Sequence, residues 1–306
     1  MSRLFLVAIV LLGMSSTVAM AQTVRFETNV GSFDMVLNPD DDPNLQPLVD
    51  NLIAYVGLGR YHFTAINRAV DGDNDDPSDD FVLQMGGFLG FQPTPDLWPQ
   101  LSTPVERLPE AIVDADGDGA VDFNSITNSR GTVSLALAGG DVNSGTSSFF
   151  INLGDNDFLD DQGFVPFAEI VNMNTIDSIM ELDQVDLSDE FGSPGNLTFI
   201  DVPVTEEDKL VVVKRAFVVE ADEDFSFVGP IASALQLQNR GSASSAFSSP
   251  GSASLESAIS GSAAQISTSV PEPSTAWLLA PLALWGVSRL RRRKLLATPM
   301  QDELKY

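Results

Sequence analysis

The chain has 306 residues, of which 43 are acidic and 16 basic, with one histidine and no cysteine, for a formal net charge of -27. Without cysteine there is no thiol nucleophile, thiolate metal site or disulfide, so a folded body must rest on its apolar core, for which the 43% hydrophobic content suffices. The negative excess repels phosphate backbones and excludes nucleic acid as a partner, while a single histidine counts against histidine-rich metal sites and hydrolytic triads.

Residues 1–21 begin with Arg3, continue through the apolar run Leu4 to Leu12 and reach Ala19-Met20-Ala21, the small-x-small pattern cut by signal peptidase. Nine apolar residues are too few for a hydrocarbon core that needs roughly 20. A secretory signal removed after Ala21 is therefore expected, with the rest of the chain exported.

The body is expected over residues 22–220. Apolar and polar residues alternate in Thr23–Thr28 and Ser32–Leu37 across Asn29-Val30-Gly31, the pattern of a hairpin. Pro47 then opens a stretch where Leu48, Leu52, Tyr55 and Val56 recur at helical spacing, ended by Gly57 and Gly59. Further strands are predicted at 64–70, 81–85, 132–138, 148–153, 167–171 and 209–219, with a second helix around 175–182. Strands outnumber helices, and a closed barrel with helices over its ends removes the edges such a sheet otherwise exposes.

Two acidic segments interrupt this order. Six carboxylates fall between Asp71 and Asp80, a solvated loop able either to bind Ca²⁺ or to bias nearby chemistry toward cationic peptides. The second, Asp114-Ala115-Asp116-Gly117-Asp118-Gly119-Ala120-Val121-Asp122, resembles an EF-hand-like calcium loop, with Ser125 in place of the closing glutamate. Asp114, Asp116, Asp118 and Asp122 are its expected ligands, for a structural calcium.

From 221 to 269 the chain becomes rich in Ser, Ala and Gly, the composition of a disordered tether. Residues 270–294 join Val270-Pro271-Glu272-Pro273-Ser274 to an uncharged apolar stretch, 275–288, and to Arg289, Arg291, Arg292, Arg293 and Lys294; a tail, 295–306, follows. This order resembles the PEP-CTERM sorting signal of exported bacterial proteins. The resemblance implies a short hydrophobic helix in contact with the membrane, recognition by an exosortase-like protease, basic residues left inside, and a body held at the periplasm, cell surface or matrix.

Five motifs stand in one order through the middle of the chain: VDNLIAYVGLGRY, TAINR, Phe81-Val82-Leu83-Gln84-Met85-Gly86-Gly87-Phe88, Arg130 to Ala136, and Ser147 to Ile151 closing with Phe158-Leu159-Asp160. From about residue 23 to 219 they resemble the cyclophilin family of peptidyl-prolyl isomerases, in its exported bacterial branch. The resemblance implies rotation of Xaa-Pro bonds without a nucleophile or cofactor, on proline-containing peptides or exported proteins whose folding it assists. Carried over, Arg68 is the catalytic donor and Gln84 its polar partner. Phe81, Val82, Phe150, Phe158, Leu159 and Phe164 wall a cup for the proline ring, and Ala136 and Leu137 line the groove. An arginine suits the role because its fork stays protonated and donates more than one hydrogen bond. Asn67, Ser148 and Phe164 depart from the family's usual histidine, glutamine and histidine. Ser148 and Asn67 support a rival reading, a peptide-binding module of weak turnover, and the acidic loops and sorting tail support another, a calcium-ordered surface protein.

Overall fold

The computed structural model describes residues 21–70, 80–90, 103–188, 197–207, 209–221 and 225–235. The first acidic segment up to residue 79, most of the tether and the whole sorting region lie outside the described residues.

The two alternating segments form the expected hairpin, β1 (Thr23–Thr28) and β2 (Ser32–Leu37), paired antiparallel. The Thr28 hydroxyl closes its turn by accepting the N–H groups of Val30 and Gly31 at 3.1 and 3.0 Å. The first helix, α1 (Gln46–Gly57), carries Pro47 in its first turn, where a missing N–H leaves no bond unmade. It buries Leu48, Leu52, Tyr55 and Val56 as the spacing requires. Next come β3 (Thr64–Ala69), β4 (Val82–Leu89), β5 (Thr132–Leu135), β6 (Phe149–Asn152), β7 (Pro166–Ile170), α2 (Asn174–Met180), β8 (Asp183–Val185), β9 (Val202–Val204) and β10 (Val213–Glu220).

Eight strands make one antiparallel sheet in the order β10-β1-β2-β7-β5-β6-β4-β3. Its two outer strands meet where Ala65 bridges Val212, the Phe63 N–H reaches the Val213 carbonyl at 2.7 Å and the Ile66 N–H reaches the Val211 carbonyl at 2.9 Å. The curled sheet encloses a core in which Phe26, Tyr61 and Phe149 meet edge to face at 5.6 to 5.7 Å. The Tyr61 hydroxyl donates to the Ser147 carbonyl at 3.1 Å, which satisfies a polar group with no access to water. Gly86 has a φ of +82°, and a Cβ there would stand 2.7 Å from the Ser147 oxygen, so only glycine lets β4 pass this close.

The strand expected at 132–138 stops at Leu135. Beyond it, Ala136 keeps one bond, its N–H to the Ser148 carbonyl at 2.9 Å, and the chain then turns. The strand expected from 209 starts at Val213, because residues 211–213 form the seam with β3 instead. The pair β8–β9 was not foreseen; it carries a small core of its own with Leu187, Phe199, Val202, Val204 and Leu210.

The boundary at 220 also moves. Residues 228–235 are helical, and Phe225, Phe227, Ile231 and Ala234 pack on the main core. A Cβ on Gly57 would lie 2.6 Å from the Phe227 ring, so the glycine ending α1 admits that ring. Composition hides this short apolar segment because serine and alanine surround it. A chain ended at Glu220 is expected to lose roughly 1 to 3 kcal/mol relative to one ended at Leu235, the worth of re-exposing one or two large apolar side chains, read as a lower midpoint in urea.

Candidate active site

Strand alternation sorts the site from the core. On β4, Leu83 and Met85 face the core while Val82 and Gln84 face outward; on β6, Phe149 and Ile151 face in and Phe150 out. On the outer face Val82 and Phe150 are joined by Val70, Phe81, Leu137, Leu159 and Phe164, with Ala136 and Phe158 at the rim. All eight residues expected to line the groove therefore belong to one cluster, and Val70 joins them without having been anticipated. Phe81 stacks on Phe158 at 5.7 Å, and Phe164 meets Phe150 edge to face at 5.5 Å. Phe164 thus supplies an apolar wall.

Arg68 reaches this face through an irregularity. Ile66 pairs with Met85 but Arg68 pairs with Gln84, so two steps along β3 match one along β4. In a regular strand Arg68 would share the side of Ile66, which points into the core. The bulge turns it to the side of Gln84. There Arg68 is 2% exposed, and its Nε and Nη1 atoms have no hydrogen-bond partner among the described residues. Burial lowers its pKa to about 10 while Asp201 opposes the shift, so the guanidinium remains charged at neutral pH. Gln84 is equally buried; its Nε2 donates to the Ser148 hydroxyl at 3.1 Å and its Oε1 has no partner. Ser148 therefore orients the amide beside the arginine, a role its position in the sequence did not reveal. Asn67 lies apart from the groove: its Nδ2 donates to the Thr198 carbonyl at 3.0 Å.

Residues 23–199 match the family of cyclophilin type peptidyl-prolyl cis-trans isomerases. The chain belongs to that family. It is 31% identical over 164 residues to peptidyl-prolyl cis-trans isomerase A of Dickeya dadantii, spanning 52% of this chain and 71% of that protein. To peptidyl-prolyl cis-trans isomerase B of Escherichia coli it is 30% identical over 164 residues, spanning 51% and 82%. A solved cyclophilin type isomerase of Cryptosporidium parvum, crystallised in the presence of the dipeptide Ala-Pro, is 18% identical with a TM-score of 0.42, covering 65% of this chain and 99% of that one.

In this cyclophilin-type isomerase the aromatic cluster is carried by a buried polar network. Asn128 Oδ1 accepts from the Ser134 hydroxyl at 2.8 Å and from Asn152 Nδ2 at 3.0 Å, while Asn128 Nδ2 donates to Asp160 at 2.7 Å and to the Phe164 carbonyl at 2.9 Å. Asn152 also reaches Thr132 Oγ1 at 2.9 Å, and Asn156 Nδ2 joins Asn152 Oδ1 at 2.8 Å to the Phe81 carbonyl at 2.9 Å. The segments bearing Phe81, Leu159 and Phe164 are thus tied to one set of amides. The sequence held a clue in Asn152, a residue type disfavoured in strands that closes the apolar run Phe149 to Ile151. Arg130, a motif residue, is structural: it donates to the Leu153 carbonyl and pairs with Asp177 of α2 at 2.6 Å.

Of the four expected calcium ligands, Asp114, Asp116 and Asp122 bring a carboxylate oxygen each within 4.8 Å of one another. Asp118 is outside that group, and its Oδ1 accepts the Ala120 N–H at 2.8 Å. Asp114 is buried, and the N–H groups of Gly119 and Gly117 hold its carboxyl below the usual range. For Asp116 the Asp118 N–H favours the ionised form, but repulsion from the Asp118 carboxylate, desolvation and the charges of Asp122 and Asp114 together push its pKa up.

Asn152→Ala removes four hydrogen bonds, two to Thr132 and one each to Asn128 and Asn156, from a buried network. The expected loss is about 3 kcal/mol of stability, measured by urea unfolding, with weaker proline-peptide binding in the protein that remains folded.

Proposed function

We propose that this chain is an exported isomerase of Xaa-Pro bonds in which Arg68 donates to the substrate and the cluster around Phe150 holds the proline ring. The observation that carries this reading is Arg68 itself: a buried, charged fork with Nε and Nη1 unpartnered, on the same outer face as an apolar cup. Rotation about the peptide bond is opposed by amide resonance, a barrier of roughly 18 to 20 kcal/mol; proline narrows the gap between cis and trans but leaves their exchange slow. The proline nitrogen offers a lone pair only when the bond is twisted. A donor aimed at that nitrogen therefore favours the twisted state over either planar isomer, and this difference is what lowers the barrier. Because the donor is already stripped of water, little reorganisation is needed during the reaction. Gln84 Oε1 is placed to accept a substrate N–H or to hold the guanidinium. No bond is made or broken, and the chemistry calls for no cofactor.

Export is supported at the front of the body. The first strand begins at Thr23, and the Leu37 N–H bonds the Gln22 carbonyl at 2.8 Å, so cleavage after Ala21 takes nothing from the sheet. Clients would then be proline-containing exported or surface proteins, with signal peptidase and an exosortase-like protease as processing partners and membrane contact through residues 275–288. No helix among the described residues is long and apolar enough to cross a membrane.

The test is NMR exchange on short Xaa-Pro peptides with the chain from Gln22 onward and its Arg68→Met variant. Methionine fills the space without a charge to desolvate, so the variant is expected to unfold at the same urea concentration as wild type or higher. Its acceleration should fall about a hundredfold or more, as for other preorganised donors. Peptide binding without acceleration in the wild type would leave only the binding module. Neither binding nor acceleration would favour the surface protein.

We also propose a structural calcium ion held by Asp114, Asp116 and Asp122, because a divalent cation would relieve the repulsion that raises the Asp116 pKa. Millimolar Ca²⁺ should raise the melting temperature of the wild type and leave Asp116→Ala unaffected. Calorimetry without heat in the wild type removes the site.

A further inference from the structure

Beside the proline cup lies a cleft of about 750 Å³, walled by Gly119–Ser125 of the second acidic insertion, by the turn Gly139–Val142 and by Asp160–Gly163. Leu137 and Phe164 line this cleft and also belong to the cup. The insertion wall is built in. Asn143 Oδ1 accepts the N–H groups of Val113 and Asp114 at 2.8 and 3.0 Å, its Nδ2 donates to the Asp114 carbonyl at 2.7 Å, and the Asp122 carboxylate accepts the Ala115 N–H at 2.7 Å. Val121 and Phe123 pack on the main core.

The charge of the cleft has one sign. Asp160 and Asp161 line it, Asp118 and Asp141 adjoin lining residues, and no Lys or Arg lines it. None of these four carboxylates forms an ion pair with a basic side chain among the described residues. Asp160 is held by Asn128, whereas Asp161 is exposed at the mouth. An extended peptide advances roughly 3.3 to 3.6 Å per residue, so with its proline in the cup, a side chain about two or three residues away reaches across the shared wall. A lysine or arginine stem would lie on Val121, Leu137 and Phe164 and leave its head among the carboxylates.

We propose that this cleft is a second subsite, selecting substrates with a lysine or arginine two or three residues from the proline. The inference rests on the isomerase reading above. It is tested with the full chain, comparing kcat/KM for peptides that carry lysine, arginine or the uncharged norleucine at each of those positions, on either side of the proline. At low salt the basic peptides should be favoured roughly fivefold over norleucine, the worth of about 1 kcal/mol of partly exposed charge pairing. The advantage should shrink as salt is raised. In the Asp118→Asn/Asp161→Asn variant, which keeps the oxygen that receives the Ala120 N–H, the ratio should fall close to one. A wild-type ratio of one with turnover intact overturns the subsite and leaves the isomerase standing. A preference that survives in the variant overturns the assignment to this cleft. Absence of turnover on every peptide removes both readings.

Discussion

Phe149 and Ile151 point from β6 into the core while Phe150, between them, points outward with Val82 of the neighbouring strand, so the middle of the sheet needs cover on both sides. The inner side is met by the curl of the sheet itself and by α1. The outer side has no α-helix over it among the described residues; it is met by the short 3-10 helix Asp157–Gln162, which carries Leu159, and by Phe81, Leu137 and Phe164 from connecting segments. Connecting backbone cannot be buried unless its polar groups are paired. Asn128, Asn152 and Asn156 meet that need, each tying a segment of the cover to the sheet or to another amide. An apolar groove on a sheet face is thus held by polar bonds beneath it.

The arginine belongs to the same balance. Burying a guanidinium with two nitrogen atoms unpartnered is unfavourable, and the lowering of its pKa to about 10 is the mark of that cost. Such a residue is tolerated where the surrounding structure over-determines it. Here β3 is held by β4 on one side and by residues 211–213 on the other, with the bulge between Ile66 and Arg68 fixed by both. Gln84 and Ser148 complete the polar patch, in which Arg68 Nε and Nη1 and Gln84 Oε1 have no hydrogen-bond partner among the described residues.

The second acidic insertion differs in kind. It leaves the sheet undisturbed, since it falls between β4 and β5, and it is fastened by Asn143 and by its own aspartates. What it adds is a wall close to the cup, made of small and apolar residues with carboxylates at their edges.

Much of the molecule was legible in the residues alone. Alternation located β1 and β2 to the residue, because each has one face in the core and one toward solvent, and the spacing of Leu48, Leu52, Tyr55 and Val56 located α1 for the same reason. The eight residues expected to wall the groove were readable as an ordered set of motifs, and they fall in one hydrophobic cluster. Other features depend on partners far apart in the chain. The bulge that turns Arg68 outward exists only in its pairing with Gln84. The amide network joins residues 81 to 164, the separation of Asp118 from the other aspartates is a matter of where each carboxylate points, and residues 225–235 fold because α1 offers Gly57 and an apolar surface to Phe227. Periodicity and motif order are local and therefore visible in the sequence. Register, burial and the convergence of side chains are pairwise properties of distant segments, and only the folded chain decides them.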